Sequence, residues 1–260
     1  MYLCAMKFAV IGSGNVAWHY TRMLIKAGHI PSKAFARNPK NWDTCFGELN
    51  GIERSDWDGI HENVDFILLA VNDHQIAPLA QQIHPSATII HPSGATALKD
   101  IPQENFGVIW GIYSFVKNQP LDYSPIPFCI EGSNDQTQQL IVDLLKNVSD
   151  KVYHTTLKQR QQAHLAAVFG NNFITLLLQE SFDLLREVNL PEHLIQPTLM
   201  QLVQGIENQA PAQLQTGPAK RGDVPTLQVH FELLSHTPEW QATYLHLTNV
   251  LLKKYGHSKL

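Results

Sequence analysis

Cysteine is scarce: Cys4, Cys45 and Cys129 are the whole supply in 260 residues, and no C-x-x-C occurs. An odd number of widely spaced thiols excludes a disulfide framework and predicts buried or incidental cysteines in a reducing cytoplasm. None of the 13 histidines falls into H-E-x-x-H or a Cys/His zinc spacing, so no metal site is expected. Long apolar runs are missing as well. The stretches 66–71 and 173–178 stop far short of a bilayer span, which predicts no membrane partner. Positive charge is not in excess: a net charge of −4 with 16% charged residues predicts no nucleic-acid partner. An early lysine followed directly by a core strand predicts no signal peptide. Internal repeats and low-complexity tracts are also absent.

What is there begins with an apolar run, Phe8-Ala9-Val10-Ile11, that meets Gly12-Ser13-Gly14-Asn15-Val16-Ala17. A strand breaking into a GxGxxA loop, followed by an amphipathic stretch over 16–27, has the pattern of a dinucleotide-binding turn. Gly12 permits the tight turn, Gly14 lets the backbone approach a pyrophosphate, and Ala17 lets the helix pack close to the strand. The helix's free N–H groups and its dipole receive the negative charge. Gly12, Ser13, Gly14, Asn15 and Val16 are therefore the expected cradle.

The second strand decides which dinucleotide. NAD sites place Asp or Glu at its end, to bond the ribose 2′-hydroxyl. Here the strand runs into Arg37-Asn38-Pro39-Lys40, without a carboxylate. Arg37 lies 23 residues beyond Gly14, and its guanidinium suits a 2′-phosphate, with Asn38 and Lys40 beside it. NADP is the expected cofactor. Ligands sit at the carboxyl ends of parallel strands, which adds Val71 and Asn72 after one strand and His91 and Ser93 after the next. Pro92-Ser93-Gly94 is equally ordinary turn chemistry.

The first half alternates strand and helix signals. Strands are expected at 33–36, 66–71, 88–90, 106–109, 128–130 and 151–153, with a helix over 135–147, which predicts an α/β, doubly wound parallel sheet. After residue 157 only helical periodicity remains. It gives one long helix over 157–188, another from Pro191 to about Asn208, a proline-containing loop over 209–225, and helices near 226–235 and 238–255. Two domains follow: an NADP-binding Rossmann domain over 1–153 and an all-helical domain over 154–260.

Three segments carry a resemblance. They are Ala9-Val10-Ile11-Gly12-Ser13-Gly14-Asn15-Val16, then His164-Leu165-Ala166-Ala167-Val168-Phe169-Gly170-Asn171-Asn172-Phe173, then Gln215-Thr216-Gly217-Pro218-Ala219-Lys220-Arg221-Gly222-Asp223 with His230 after it. With them the chain resembles the superfamily that joins a Rossmann domain to an all-helical dimerisation domain. That superfamily includes 6-phosphogluconate dehydrogenase, the β-hydroxyacid dehydrogenases, pyrroline-5-carboxylate reductase and ketopantoate reductase. The chain is most similar to a branch of NADP oxidoreductases in which a domain of unknown function follows the Rossmann-like domain. Some of its members look like alternative ketopantoate reductases.

The resemblance implies that the helix starting at Leu157 passes the nicotinamide. His164 and Asn171 stand seven residues apart and so share a face of an α-helix, with Asn172 at its edge. His164 is then the expected proton donor, and Asn171 or Asn172 holds the substrate oxygen or the nicotinamide amide. Arg221 supplies positive charge to an acidic substrate or to the cofactor phosphates, or simply pairs with Asp223 between helices. The β-hydroxyacid dehydrogenases carry a Lys followed four residues later by Asn here, whereas this chain has no lysine over 159–188. The expected activity is hydride transfer between NADPH and a small carbonyl or imine substrate, a 2-oxo acid first, in a cleft between the domains. A homodimer through the helical domain is expected. The alternatives are a non-catalytic NADP-binding sensor and an NADP–deazaflavin oxidoreductase.

Overall fold

The computed structural model describes residues 5–97 and 101–260, so Cys4 lies outside the described residues. The chain divides into two compact units, Met1–Leu176 and Leu177–Leu260.

The first unit is built on an eight-stranded sheet of order β3-β2-β1-β4-β5-β6-β7-β8. The strands are β1 (Lys7–Ile11), β2 (Ile30–Phe35), β3 (Glu53–Arg54), β4 (Phe66–Leu69), β5 (Ile89–His91), β6 (Phe106–Gly111), β7 (Phe128–Gly132) and β8 (Val152–His154). All pairings from β3 to β6 are parallel. The last two strands depart from the expected uniform direction: β7 is antiparallel to β6, and β8 is parallel to β7. Residues 112–127 join β6 to β7 without a helix. A parallel neighbour needs a crossover connection, whereas a direct return gives an antiparallel one.

Central strands β1 and β4 are buried on both faces, as their unbroken apolar sequences require. Alternate residues feed opposite cores. Phe8 and Val10 join Tyr20, Leu24 and Phe128 on one face. Ala9 and Ile11 join Ile67, Leu69 and Ile76 on the other. Helix α1 (Asn15–Lys26) packs on the first face through Ala17, Tyr20, Thr21 and Leu24, at helical spacing. Next come α2 (Pro39–Phe46), α3 (Asp73–Ala80) and α4 (Asp135–Leu145).

The long helix expected over 157–188 is present in three segments: α5 (Leu157–Ala167), a π turn (Val168–Asn172) and α6 (Phe173–Glu187). Thr156 and Gln159 form a capping box that starts α5. In the π turn the Phe173 N–H donates to the Val168 carbonyl, five residues back.

The second unit is helical. After a 3₁₀ turn (Glu192–Ile195) come α7 (Gln196–Gly205), α8 (Pro211–Leu214), α9 (Pro218–Arg221), α10 (Val224–Leu233) and α11 (Pro238–Lys254). Each of these α-helices has proline in its first turn, where the missing N–H costs nothing. The stretch expected to be a loop, 209–225, thus contains two single-turn helices. Gly222, with φ of 68°, ends α9 in the left-handed conformation.

Candidate functional site

A cavity of about 570 Å³ opens at the carboxyl ends of β1, β2 and β4, where the strand order reverses. Gly12 to Val16 form its floor, Arg37, Asn38 and Asn41 one wall, and Val71, Asn72, Pro92 and Ser93 the other. The two glycines of the loop answer different demands. Gly12 has φ of +118°, and a Cβ there would stand 2.0 Å from the Ala70 carbonyl oxygen. Gly14 is in extended backbone, and a Cβ built on it meets nothing within 4 Å. That side is open space against the floor, the room a pyrophosphate needs. Helix α1 begins with no side-chain cap and no acidic residue in its first turn, leaving its N–H groups for an anion. By contrast, the N-terminus of α2 is capped by its own Asn38, which accepts from the Lys40 N–H at 3.0 Å. These features fit a bound dinucleotide.

The sequence-predicted cradle, Gly12, Ser13, Gly14, Asn15 and Val16, lines this cavity with Arg37, Asn38, Val71, Asn72 and Ser93. Lys40 is exposed and His91 fully buried, and neither belongs to the wall. His91 Nδ1 accepts the Ser93 N–H at 3.3 Å, so the ring proton of the neutral form sits on Nε2. That atom is buried and has no partner among the described residues. Burial, assisted by the nearby Arg160 charge, pushes His91 down to about 3. Ser93 Oγ accepts from the N–H groups of Ala95 (3.2 Å) and Thr96 (3.1 Å), so Ser93 builds the turn as well as facing the cavity.

A second group gathers at the carboxyl end of β6. His164 of α5 is exposed, and its ring stands edge-on to Trp110 with centroids 5.8 Å apart. A Cβ on Gly94 would lie 2.7 Å from the same indole, so Trp110 separates the Pro92-Ser93-Gly94 turn from His164. Asn171, in the π turn, donates from Nδ2 to Ser114 Oγ at 2.8 Å. Asn172 is exposed beside it. One helical turn before His164, Arg160 is completely buried, paired with Glu131 of β7 and donating to the carbonyls of Thr155 (3.3 Å) and Thr96 (3.5 Å). Arg160, Trp110 and Ser114 were not singled out from sequence. For Arg160 the local signal is an arginine one turn before His164; Trp110 and Ser114 left none.

Arg221 belongs to the second unit. Its side chain is 65% exposed and stands 3.8 Å from Asp223, which also caps α10 through the Thr226 N–H at 3.3 Å. His230 Nδ1 meets the Tyr244 hydroxyl at 3.0 Å. Cys45 and Cys129 are buried and free, and burial pushes the Cys45 thiol up to about 11. Among the described residues, no group of three His, Cys, Asp or Glu could hold a metal, and no helix is long and apolar enough to cross a membrane.

An uncapped helix start over a glycine loop at the switch point of a Rossmann sheet is the architecture of a dinucleotide-binding domain. Two family models match: "NADP oxidoreductase coenzyme F420-dependent" over residues 7–91, and "Domain of unknown function (DUF2520)" over residues 126–250. The chain joins a region of the NADP oxidoreductase type to one of the unknown-function type, and the class these matches support is an NADP-dependent oxidoreductase. No functionally curated protein matches it. Among solved structures it is similar to a Bacteroides fragilis protein proposed to be an NADP oxidoreductase, at 23% identity and TM-score 0.86, covering 96% of this chain and 98% of that one. Its fold also resembles 1-pyrroline-5-carboxylate reductase from Streptococcus pyogenes, at 14% identity and TM-score 0.64, over 96% and 98% of the two chains. Pyrroline carboxylate reductase from Plasmodium falciparum, a structure with NADP bound, aligns at 14% identity and TM-score 0.60 over the same shares.

Proposed function

We propose that this protein reduces a small carbonyl or imine compound, a 2-oxo acid first among them, with NADPH held in the glycine-loop cavity. The observation that supports this reading is a run of neighbours from Ser93, which lines the cavity, through Gly94 and Trp110 to the exposed imidazole of His164. NADPH, when bound, would supply a hydride to the substrate carbon. Negative charge then develops on the substrate oxygen or nitrogen, and His164 delivers the proton that neutralises it. Asn171, oriented by Ser114, holds that same atom. Asn172 supports it from the same π turn. Gly12 to Val16 hold the pyrophosphate, and Val71, Asn72 and Ser93 border the nicotinamide end. Arg37 and Asn38 read the 2′-phosphate, whereas Lys40, exposed and outside the wall, is not assigned to it. Arg221, more than half exposed, keeps the capacity to bind an anion and is our candidate for the substrate carboxylate.

The remaining parts of the reading concern the whole chain. The boundary between the functional domains falls near residue 153, where the last strand ends. The helical domain mediates a homodimer, and the reduced, buried thiols suit a cytoplasmic protein. A second reading is favoured by the matched N-terminal family, whose description names coenzyme F420: the hydride acceptor is then a deazaflavin.

The test is a panel of 2-oxo acids, cyclic imines and coenzyme F420, followed by loss of NADPH absorbance. On an active oxo acid or imine, His164→Ala should lower kcat by about 100-fold or more while leaving the NADPH Kd unchanged. Retention of kcat by His164→Ala removes the proton-donor assignment. Turnover of F420 alone selects the second reading.

A further inference from the structure

Residues 112–127 do more than connect β6 to β7. They form a strap fastened along α1. His19, buried on α1, donates from Nε2 to the Val116 carbonyl at 2.7 Å, and the Tyr123 hydroxyl donates to the His19 carbonyl at 3.1 Å. At its turn the strap places Lys117 between two elements of the cofactor cavity. The Lys117 backbone N–H donates to Asn15 Oδ1 at 3.3 Å, and its ammonium reaches Thr44 Oγ1 on α2 at 3.2 Å. Asn15 lines the cavity floor, and Thr44, one turn after Asn41 of the wall, has its hydroxyl within hydrogen-bond distance of the carbonyls of Lys40 (3.1 Å) and Asn41 (3.2 Å). Among the described residues, Lys117 has no carboxylate within ion-pair distance.

Charge accounting makes this placement informative. Arg37 is the one cation among the described residues of the cavity wall, and Asp73 adds a negative charge. A phosphate monoester alone carries about −1.5 to −2 at neutral pH. The α1 dipole contributes the equivalent of about half a charge at the pyrophosphate. The 2′-phosphate end is therefore short of positive charge. Lys117 holds its ammonium on a neutral hydroxyl, a weaker partner than a phosphate oxygen.

We propose that Lys117 is a further cofactor-binding residue, a cation that leaves Thr44 for the 2′-phosphate and sets the preference for NADPH over NADH. This rests on the placement of NADPH in the cavity argued above. The backbone tether to Asn15 holds the lysine stem in place, so little order is lost when the ammonium moves.

The experiment measures Kd for NADPH and NADH by calorimetry on wild type, Lys117→Gln, Lys117→Arg and Arg37→Ala, at low and high salt. Lys117→Gln should weaken NADPH by about tenfold, with a shallower salt dependence, and change NADH less than about twofold. Lys117→Arg should restore most of the loss. Equal weakening of both nucleotides, or weakening of neither, overturns the assignment of Lys117. The backbone N–H remains in every variant, and matching thermal midpoints exclude a loosened strap. Wild type binding neither nucleotide overturns the cavity reading and this inference with it. If wild type prefers NADPH but Arg37→Ala keeps that preference, the role of Arg37 fails, and Lys117 is judged by its own NADPH/NADH ratio.

Discussion

Gly12 and Gly14 sit two residues apart and serve opposite ends. Gly12 is where the chain itself needs a missing side chain, because the Ala70 carbonyl occupies the place of a Cβ. At Gly14 a ligand would need it, because nothing else fills that place. His91 is a residue of a third kind, a histidine the fold keeps neutral. Its unfolded pKa is about 6.5, whereas burial and Arg160 push the folded value down to about 3. Between those values the unfolded chain binds a proton that the folded chain refuses, so stability is full above about pH 7 and falls as the solution is acidified. The slope from this residue is about 1.4 kcal/mol per pH unit below pH 6. Urea denaturation at pH 7, 6 and 5 should show that loss, and His91→Phe should flatten the profile. An unchanged slope in the variant would mean that other groups carry the acid sensitivity.

At the scale of elements, α5 decides where the candidate catalytic side chains stand. Arg160 and His164 are one turn apart, so the buried Arg160–Glu131 pair that ties α5 to β7 also fixes the level of His164 against Trp110. Removing the cation alone strands Glu131, whose side chain is only 25% exposed. Arg160→Met should cost about 3 kcal/mol in chemical denaturation, and adding Glu131→Gln should recover part of it. Strict additivity of the two substitutions would show that the pair does not act as a unit. The helix over 157–188 was legible as a helix from its apolar spacing. The π turn was not: it keeps the same residue types and changes only which carbonyl each N–H reaches. The extra residue in that turn re-aims Asn171, placing it on Ser114 rather than where seven-residue spacing on an ideal helix would put it.

For the whole molecule, the second unit raises a question of burial. Among its described residues, the buried apolar side chains are Ala219, Leu227, Leu234 and Leu252. Leu194, Met200, Val203, Ile206, Leu233 and Val250 are all at least half exposed. Apolar surface of that extent on short helices is characteristic of an interface, and a second copy in C2 symmetry is the occupant we expect. Sedimentation velocity at micromolar concentration should give a dimer. Placing Asp at both Val203 and Val250 should yield a monomer that still binds NADPH. A wild-type chain that stays monomeric at high concentration would rule that interface out.

The sequence by itself determined the strand–helix alternation and every strand up to β6 except the short edge strand β3, the glycine cradle, the lack of an NAD-type carboxylate and the helical character after residue 157. These depend on local periodicity and on side chains acting where they stand in the chain. Tertiary structure alone decided the reversal of β7 and β8, the burial of His91 under its turn, the Arg160–Glu131 pair and the strap that brings Lys117 to Asn15 and Thr44. Each of these joins residues distant in sequence. Lys117 and Asn15 are separated by 102 positions, and Arg160 and Glu131 by 29. Which of them meet is set by strand order and by the path of one helix-free connection, and neither leaves a periodic mark in the sequence.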